Sequence, residues 1–254
     1  MFGRKSKMRQ IRIAALWGLP LLACAAGAGQ ARADEHMVLV DTIDVNSDKG
    51  LGAFDISFVD PKTGLYVLAD RTNASIDFFN AGDATFIGRV GGFTGNVVDP
   101  ATGLAVTKLS GPDGVVIIAN NQVWAGDGDS TVKVIDTATF QLVDTISTDG
   151  SFRCDEMAWD AADHILAVAN NADTPPFVTM INTDTHKIVG KIVFDGTNGT
   201  PDATTTGIEQ PQWSPSTGLF YVSVPQIDPN DATQGGVCPQ HLSVAATLQS
   251  CGRG

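Results

Sequence analysis

DEMAWDAADHILAVANNADTPPFVTMINTDTHKIVGKIV, residues 155–193, decides the fold once it is set beside DISFVDPKTGLYVLADRTNASIDFFNAGDATFIGRV, residues 55–90. Each stretch holds four short apolar runs in the same order. The first ends on Asp60 or Asp160, and the second alternates from Leu65 to Asp70 or from Ile165 to Asn170. The third covers 75–80 or 178–183, and the last covers 85–90 or 187–193. Short runs with period-two alternation, bounded by Gly, Pro, Asn and Asp, are what an antiparallel meander requires, because side chains alternate between the two faces of a strand.

Working outward, GPDGVVIIAN at 111–120 and QVWAGDGDSTVKVIDTATFQLVDTIS at 122–147 supply a third copy of the unit. A fourth begins with EQPQWSPSTGLFYVSVPQ at 209–226 and loses the pattern after Val237, where CPQHLSVAATLQSCGRG lacks the expected Ile-Asp/Asn step and the outer strand. The register is constant: Asp55 to Asp70, Asp155 to Asn170 and Glu209 to Val224 are each 15 positions apart. Three turns share one design. Asp60-Pro61-Lys62-Thr63-Gly64, Asp99-Pro100-Ala101-Thr102-Gly103 and Ser214-Pro215-Ser216-Thr217-Gly218 place proline early, where its fixed φ helps, and glycine late, where φ can be positive.

Units of this length with four strands each predict an all-β fold, a β-propeller of four-stranded antiparallel blades, with about four blades present over residues 34–237. A β-sandwich or β-solenoid is the competing arrangement. MVLVDTIDV at 37–45 reads as a fourth-strand element that would close the ring. Residues 238–254 are expected to form an atypical tail. The segments LYVLAD, VWAGDGDSTVKVIDT and ILAVANNADTPPFVTMINT resemble the YVTN-type, lactonase-like β-propeller family over roughly residues 36–237, although the literal Tyr-Val-Thr-Asn string is absent. The resemblance implies an exported bacterial protein and roughly six or seven blades. On that basis the ring is expected to be incomplete at its C-terminal side, a state that would favour self-association through exposed sheet edges.

Residues 1–33 read as a secretory signal peptide. Arg4, Lys5, Lys7, Arg9 and Arg12 form a basic head, 13–26 an apolar middle, and Ala31-Arg32-Ala33 a small-residue exit with cleavage after Ala33. The apolar run is short for a membrane span, and Pro20 interrupts it. Leu21-Leu22-Ala23-Cys24 offers a lesser alternative, a lipid anchor at Cys24. A periplasmic or secreted location follows. Cleavage removes six basic residues and no acidic one, which moves the net charge from −12 to −18. Such a body repels phosphate backbones, so nucleic acid is excluded as a partner. Cys154, Cys238 and Cys251 then remain, enough for one disulfide and one thiol with the pairing open, and no zinc-ligand spacing occurs.

The first strand of each blade lines the channel of a propeller, and the aligned starts of these strands are acidic. Asp55, Asp113, Asp155, Glu156 and Glu209, with Gln212, are therefore the candidate ligand-binding residues at the channel mouth. Asp55, Asp113, Glu156, Asn170 and Glu209 offer oxygen ligands for a divalent cation such as calcium. More distantly, the resemblance reaches gluconolactonase-like propellers, in which a channel metal polarises a lactone carbonyl. The competing reading is that these acids only cap strands and turns. Asp127 and Asp129 match a calcium loop weakly, and a plain turn is the expectation there. Trp159 and Trp213 fall at equivalent positions, as blade-to-blade packing would place them. No nucleophile elbow, zinc helix or phosphate loop occurs. The expected function is a module binding a small molecule or protein on its channel face, with a metal-dependent lactonase-like hydrolase as the alternative. Whether it is an enzyme is left open.

Overall fold

The computed structural model describes residues 39–119, 121–227 and 235–240. Residues 41–254 form one compact unit, and of the separate unit 1–40 only Leu39 and Val40 are described, neither in a strand. The signal peptide and its cleavage site, Cys24 and Cys251 lie outside the described residues.

Among the described residues, fifteen strands follow one another in four antiparallel meanders. The first sheet holds β1 (Ser57–Val59), β2 (Leu65–Asp70), β3 (Ser75–Asn80) and β4 (Thr85–Gly91). The second holds β5 (Val115–Ile118), β6 (Gln122–Gly126), β7 (Thr131–Asp136) and β8 (Gln141–Ser147). The third holds β9 (Met157–Asp160), β10 (Ile165–Asn170), β11 (Phe177–Asn182) and β12 (Lys187–Val193). In the fourth, β13 (Glu209–Ser214) pairs with β14 (Leu219–Val224), which pairs with β15 (Gly236–Gln240). The third strand of that sheet thus runs through the boundary expected at 237/238: Val222 faces Cys238 and Tyr221 faces Pro239 across the ladder. Backbone pairing there tolerates a sequence that lost the Ile-Asp signature, because the ladder needs only the strand's amides and carbonyls.

The repeated turn works as its composition predicts. Gly64, Gly103 and Gly218 have φ of 72°, 71° and 67°, and His164 takes the same place in the third sheet at 56°. A β-bulge recurs between the third and fourth strands of the first three sheets, at Phe78/Phe79, Val134/Ile135 and Met180/Ile181. Each bulge adds local twist to the outer edge of its sheet.

Neighbouring sheets stack face to face, with β1 beside β5, β5 beside β9 and β9 beside β13. Three hydrophobic clusters fill the seams. Val67, Ile76 and Phe78 meet Val123 and Ile135 between sheets one and two. Trp124, Val132 and Val134 meet Leu166, Val168 and Ile181 between two and three. Ala167 and Met180 meet Phe220, Val222 and Val224 between three and four. Each fully buried large side chain contributes roughly 1.5–3 kcal/mol relative to exposure. Among the described residues no such cluster joins sheet four to sheet one. Of the stretch 37–45, expected as a closing strand, residues 41–45 form none; the Arg89 guanidinium instead donates to the Val45 carbonyl.

Candidate functional site

The acidic positions coincide because the backbone repeats one hydrogen bond. Asp55 N–H donates to Ala69 O at 2.9 Å, Asp113 to Gly126 O at 3.0 Å and Asp155 to Ala169 O at 2.8 Å. Each bond extends the pairing of the first two strands by one step, so the three aspartates stand at one level on the innermost strands. Glu209 faces Ser223 in the matching register of the fourth sheet. Asp55, Asp113 and Asp155 each bring a carboxylate oxygen within 4.8 Å of the others.

Such convergence needs close approach of the backbones. Gly114, beside Asp113, provides it, since a β-carbon there would lie 2.0 Å from the Asp155 carbonyl oxygen. Only hydrogen fits.

Two arginines thread this acid ring, and they form the part of the site that sequence alignment missed. Arg71, just after β2, donates through Nη2 to both Asp55 and Asp113. Arg153, two residues before Asp155, places Nη2 2.5 Å from Asp155 Oδ2 and Nη1 3.5 Å from Asp113 Oδ1. Asn171 Nδ2 donates to Asp155 Oδ2 at 2.7 Å. Arg71 and Asn171 both sit one residue beyond the second strand of their sheets, a positional signal that was available in the repeat.

Burial dominates the electrostatics. Desolvation pushes the Asp113 carboxyl up to about 8, aided by the Asp155 charge and opposed by Arg71 and Arg153. It raises Asp155 to about 6 and Glu156 to about 8, where the Asp155 charge and a hydrogen bond with Glu209 act in the same direction. Glu156 and Glu209 are not part of the convergent aspartate trio, and their carboxyl groups lie close enough to each other for Glu209 to raise Glu156. Asn170 lies elsewhere: fully buried at the seam with sheet two, it donates to Ser130 Oγ and Thr148 Oγ1 and accepts from Thr179 Oγ1. Its amide is committed to joining two sheets and does not reach the acid ring.

The inner strands line an open cavity of about 510 Å³, with Phe58, Glu156, Met157, Trp159, Gln212 and Trp213 among its walls. Trp159 and Trp213, expected at the seams, do lean on the seam clusters and also face this channel. A bulge between Glu209 and Gln212, with Gln210 at a φ of 44°, disrupts β13 where both glutamines line the cavity. Bulges of this kind re-aim side chains. Glu156 Oε2 and Trp159 Nε1 are buried without a hydrogen-bond partner. A second cavity of about 630 Å³ opens toward the first-sheet turn at Asp60 and Gly64 and shares Ile117 and Trp159 with the channel.

Other candidates resolve locally. The Lys133 ammonium pairs with both Asp127 and Asp129, the plain-turn expectation for that stretch. The Cys154 thiol is free and buried, and burial raises it to about 12, which leaves it inert as a nucleophile. Cys238 is disulfide-bonded, and its partner lies outside the described residues.

No protein-family model matches the chain, and no curated protein matches it. Solved structures do. The Neurospora crassa Pan2 WD40 domain aligns with a TM-score of 0.53 and 10% identity over 80% of this chain and 50% of that one. The fold is a β-propeller. The chain spans about half the length of the propeller-containing chain it matches, and at this identity the likeness carries the architecture alone. Among the described residues of this propeller, no helix is long and apolar enough to cross a membrane.

Proposed function

We propose that the protein is an exported binding module that takes a ligand on the channel face of its propeller. The observation that supports this reading is the cavity of about 510 Å³ on the inner strands, with two buried polar atoms, Glu156 Oε2 and Trp159 Nε1, left without partners. Buried polar groups are nearly always hydrogen-bonded in proteins, and both unpaired atoms belong to residues that line this one cavity, which favours a bound molecule beside them. Asp55, Asp113 and Asp155 act as a rigid rim held by Arg71 and Arg153, while Gln212 and Glu156 offer hydrogen bonds inside. The signal-like N-terminus, basic then apolar then small, supports export.

The test is a fragment screen by saturation-transfer NMR on the whole chain and on Ser57→Trp and Gln212→Trp, which fill the channel from two sides. Fragments that bind the parent and are lost from both variants carry the reading. Fragments that bind all three proteins equally overturn it.

A metal-dependent hydrolase of the lactonase type, the function suggested by the resemblance, draws support from three carboxylate oxygens within 4.8 Å of one another. The donor set fits a resident divalent ion poorly, because two guanidiniums already occupy the space between these carboxylates and neutralise them. Binding is the reading we favour.

A further inference from the structure

We propose that the channel cavity takes an organic cation, an amine with an apolar body, whose nitrogen sits beside Glu156 and Glu209 and whose body lies against Trp159 and Trp213. The inference rests on the channel being the ligand-binding face and adds the chemical class of the ligand.

Charge compensation is uneven around the mouth. Asp55, Asp113 and Asp155 each pair with Arg71 or Arg153. Glu156 and Glu209 form no ion pair with a lysine or arginine among the described residues, and Glu156 Oε2 has no partner at all. Glu156, half-buried beside the Glu209 carboxyl, is one positive charge short, and desolvation above all keeps a proton on it. An ammonium group in the cavity can take over that role.

The walls suit the same ligand. Phe58, Trp159 and Trp213 line the cavity that Glu156 borders, and the faces of aromatic rings attract cations, by about 2 kcal/mol or more where water is excluded. Met157 adds a polarizable apolar surface for the body of the ligand. An anion would instead meet two carboxyl groups within a protein of net charge −12, whose field draws cations inward.

The experiment titrates benzylamine, benzyl alcohol and benzoate into the whole chain at neutral pH, by calorimetry, on the parent and on Glu156→Gln and Glu209→Gln. Thermal melts confirm that each variant is folded. Benzylamine is expected to bind at least about tenfold more tightly than benzyl alcohol, and benzoate not to bind. Either glutamine substitution should weaken benzylamine by about tenfold and leave benzyl alcohol unchanged. The use of two variants keeps the test open if one fails to fold. Equal or tighter binding of benzyl alcohol or benzoate, sensitive to Gln212→Trp, overturns the cation class and leaves the channel reading standing. Absence of binding by all three probes overturns the cation inference, while the fragment screen judges the channel separately.

Discussion

The carbonyl oxygen of Asp155 lies 2.0 Å from where a β-carbon on Gly114 would stand, so the inner strands of two neighbouring blades touch backbone to backbone at the level of the acid ring. This contact lets carboxylates from three blades share two arginines. It also makes the geometry of the mouth depend on one missing side chain.

Gly114→Ala should therefore cost stability out of proportion to its size. The atoms that must move are backbone, and a forced shift at a packed seam costs about 1–3 kcal/mol. Gly88→Ala, where nothing lies within 4 Å of the added carbon, should change stability by less than about 0.5 kcal/mol. Urea unfolding of both variants checks this, and equal midpoints would refute the seam argument.

Arg71→Ala removes the guanidinium that joins Asp55 to Asp113. With Asp113 fully buried, loss of the donor to its carboxyl should cost about 1–3 kcal/mol, as expected when a buried polar group is left without its partner. The double variant Arg71→Ala/Asp113→Asn should recover part of that loss, because the unpartnered carboxyl goes with it. A double-mutant cycle by chemical denaturation measures the coupling.

Stability should fall as pH rises from about 4 to 8. The carboxyl groups of Asp113 and Glu156 are raised to about 8 in the folded protein, and Asp155 to about 6, by burial above all. Over that interval the folded state holds more protons than the unfolded chain, so each unit of pH increase favours unfolding, by at most about 1.4 kcal/mol per proton held. Asp60 and Asp136 are shifted the other way by turn hydrogen bonds, and their contribution is lost as pH drops below the usual aspartate range. Melting temperatures measured from pH 4.5 to 8.5 should decline, and Asp113→Asn should flatten the decline. A flat or rising parent profile would contradict the assignment.

Millimolar calcium should leave the melting temperature unchanged, because Arg71 and Arg153 already compensate the aspartate trio. A ligand present at 100 times its dissociation constant would add about 2.7 kcal/mol and shift the melt visibly. Such a shift, abolished in Asp113→Asn, would restore the metal reading.

Much of this architecture is legible in the residues themselves. The alternation of Leu65–Asp70 and Ile165–Asn170, and the proline-to-glycine turns ending at Gly64 and Gly218, name strands and their connections through local chemistry. The constant offset between first and second strands placed Asp55, Asp155 and Glu209 at equivalent levels, the aligned strand start added Asp113, and the repeated amide bonds to Ala69, Gly126 and Ala169 bring the three aspartates to one level. Asn170 was misdirected by the same logic. It occupies a repeat position, but its side chain points along the seam, and alternation alone does not say which partner a face will meet.

The sequence by itself determined the repeating unit, the acidity of the inner strand starts and the turns that join them, because each depends on neighbours along the chain. The tertiary structure decided which charges meet. It alone brought Arg71 between two aspartates 16 and 42 residues away, paired Glu156 with Glu209, and filled three seams among four blades. Those contacts cross from blade to blade, and their energies depend on burial and on separation in space, neither of which a linear pattern encodes.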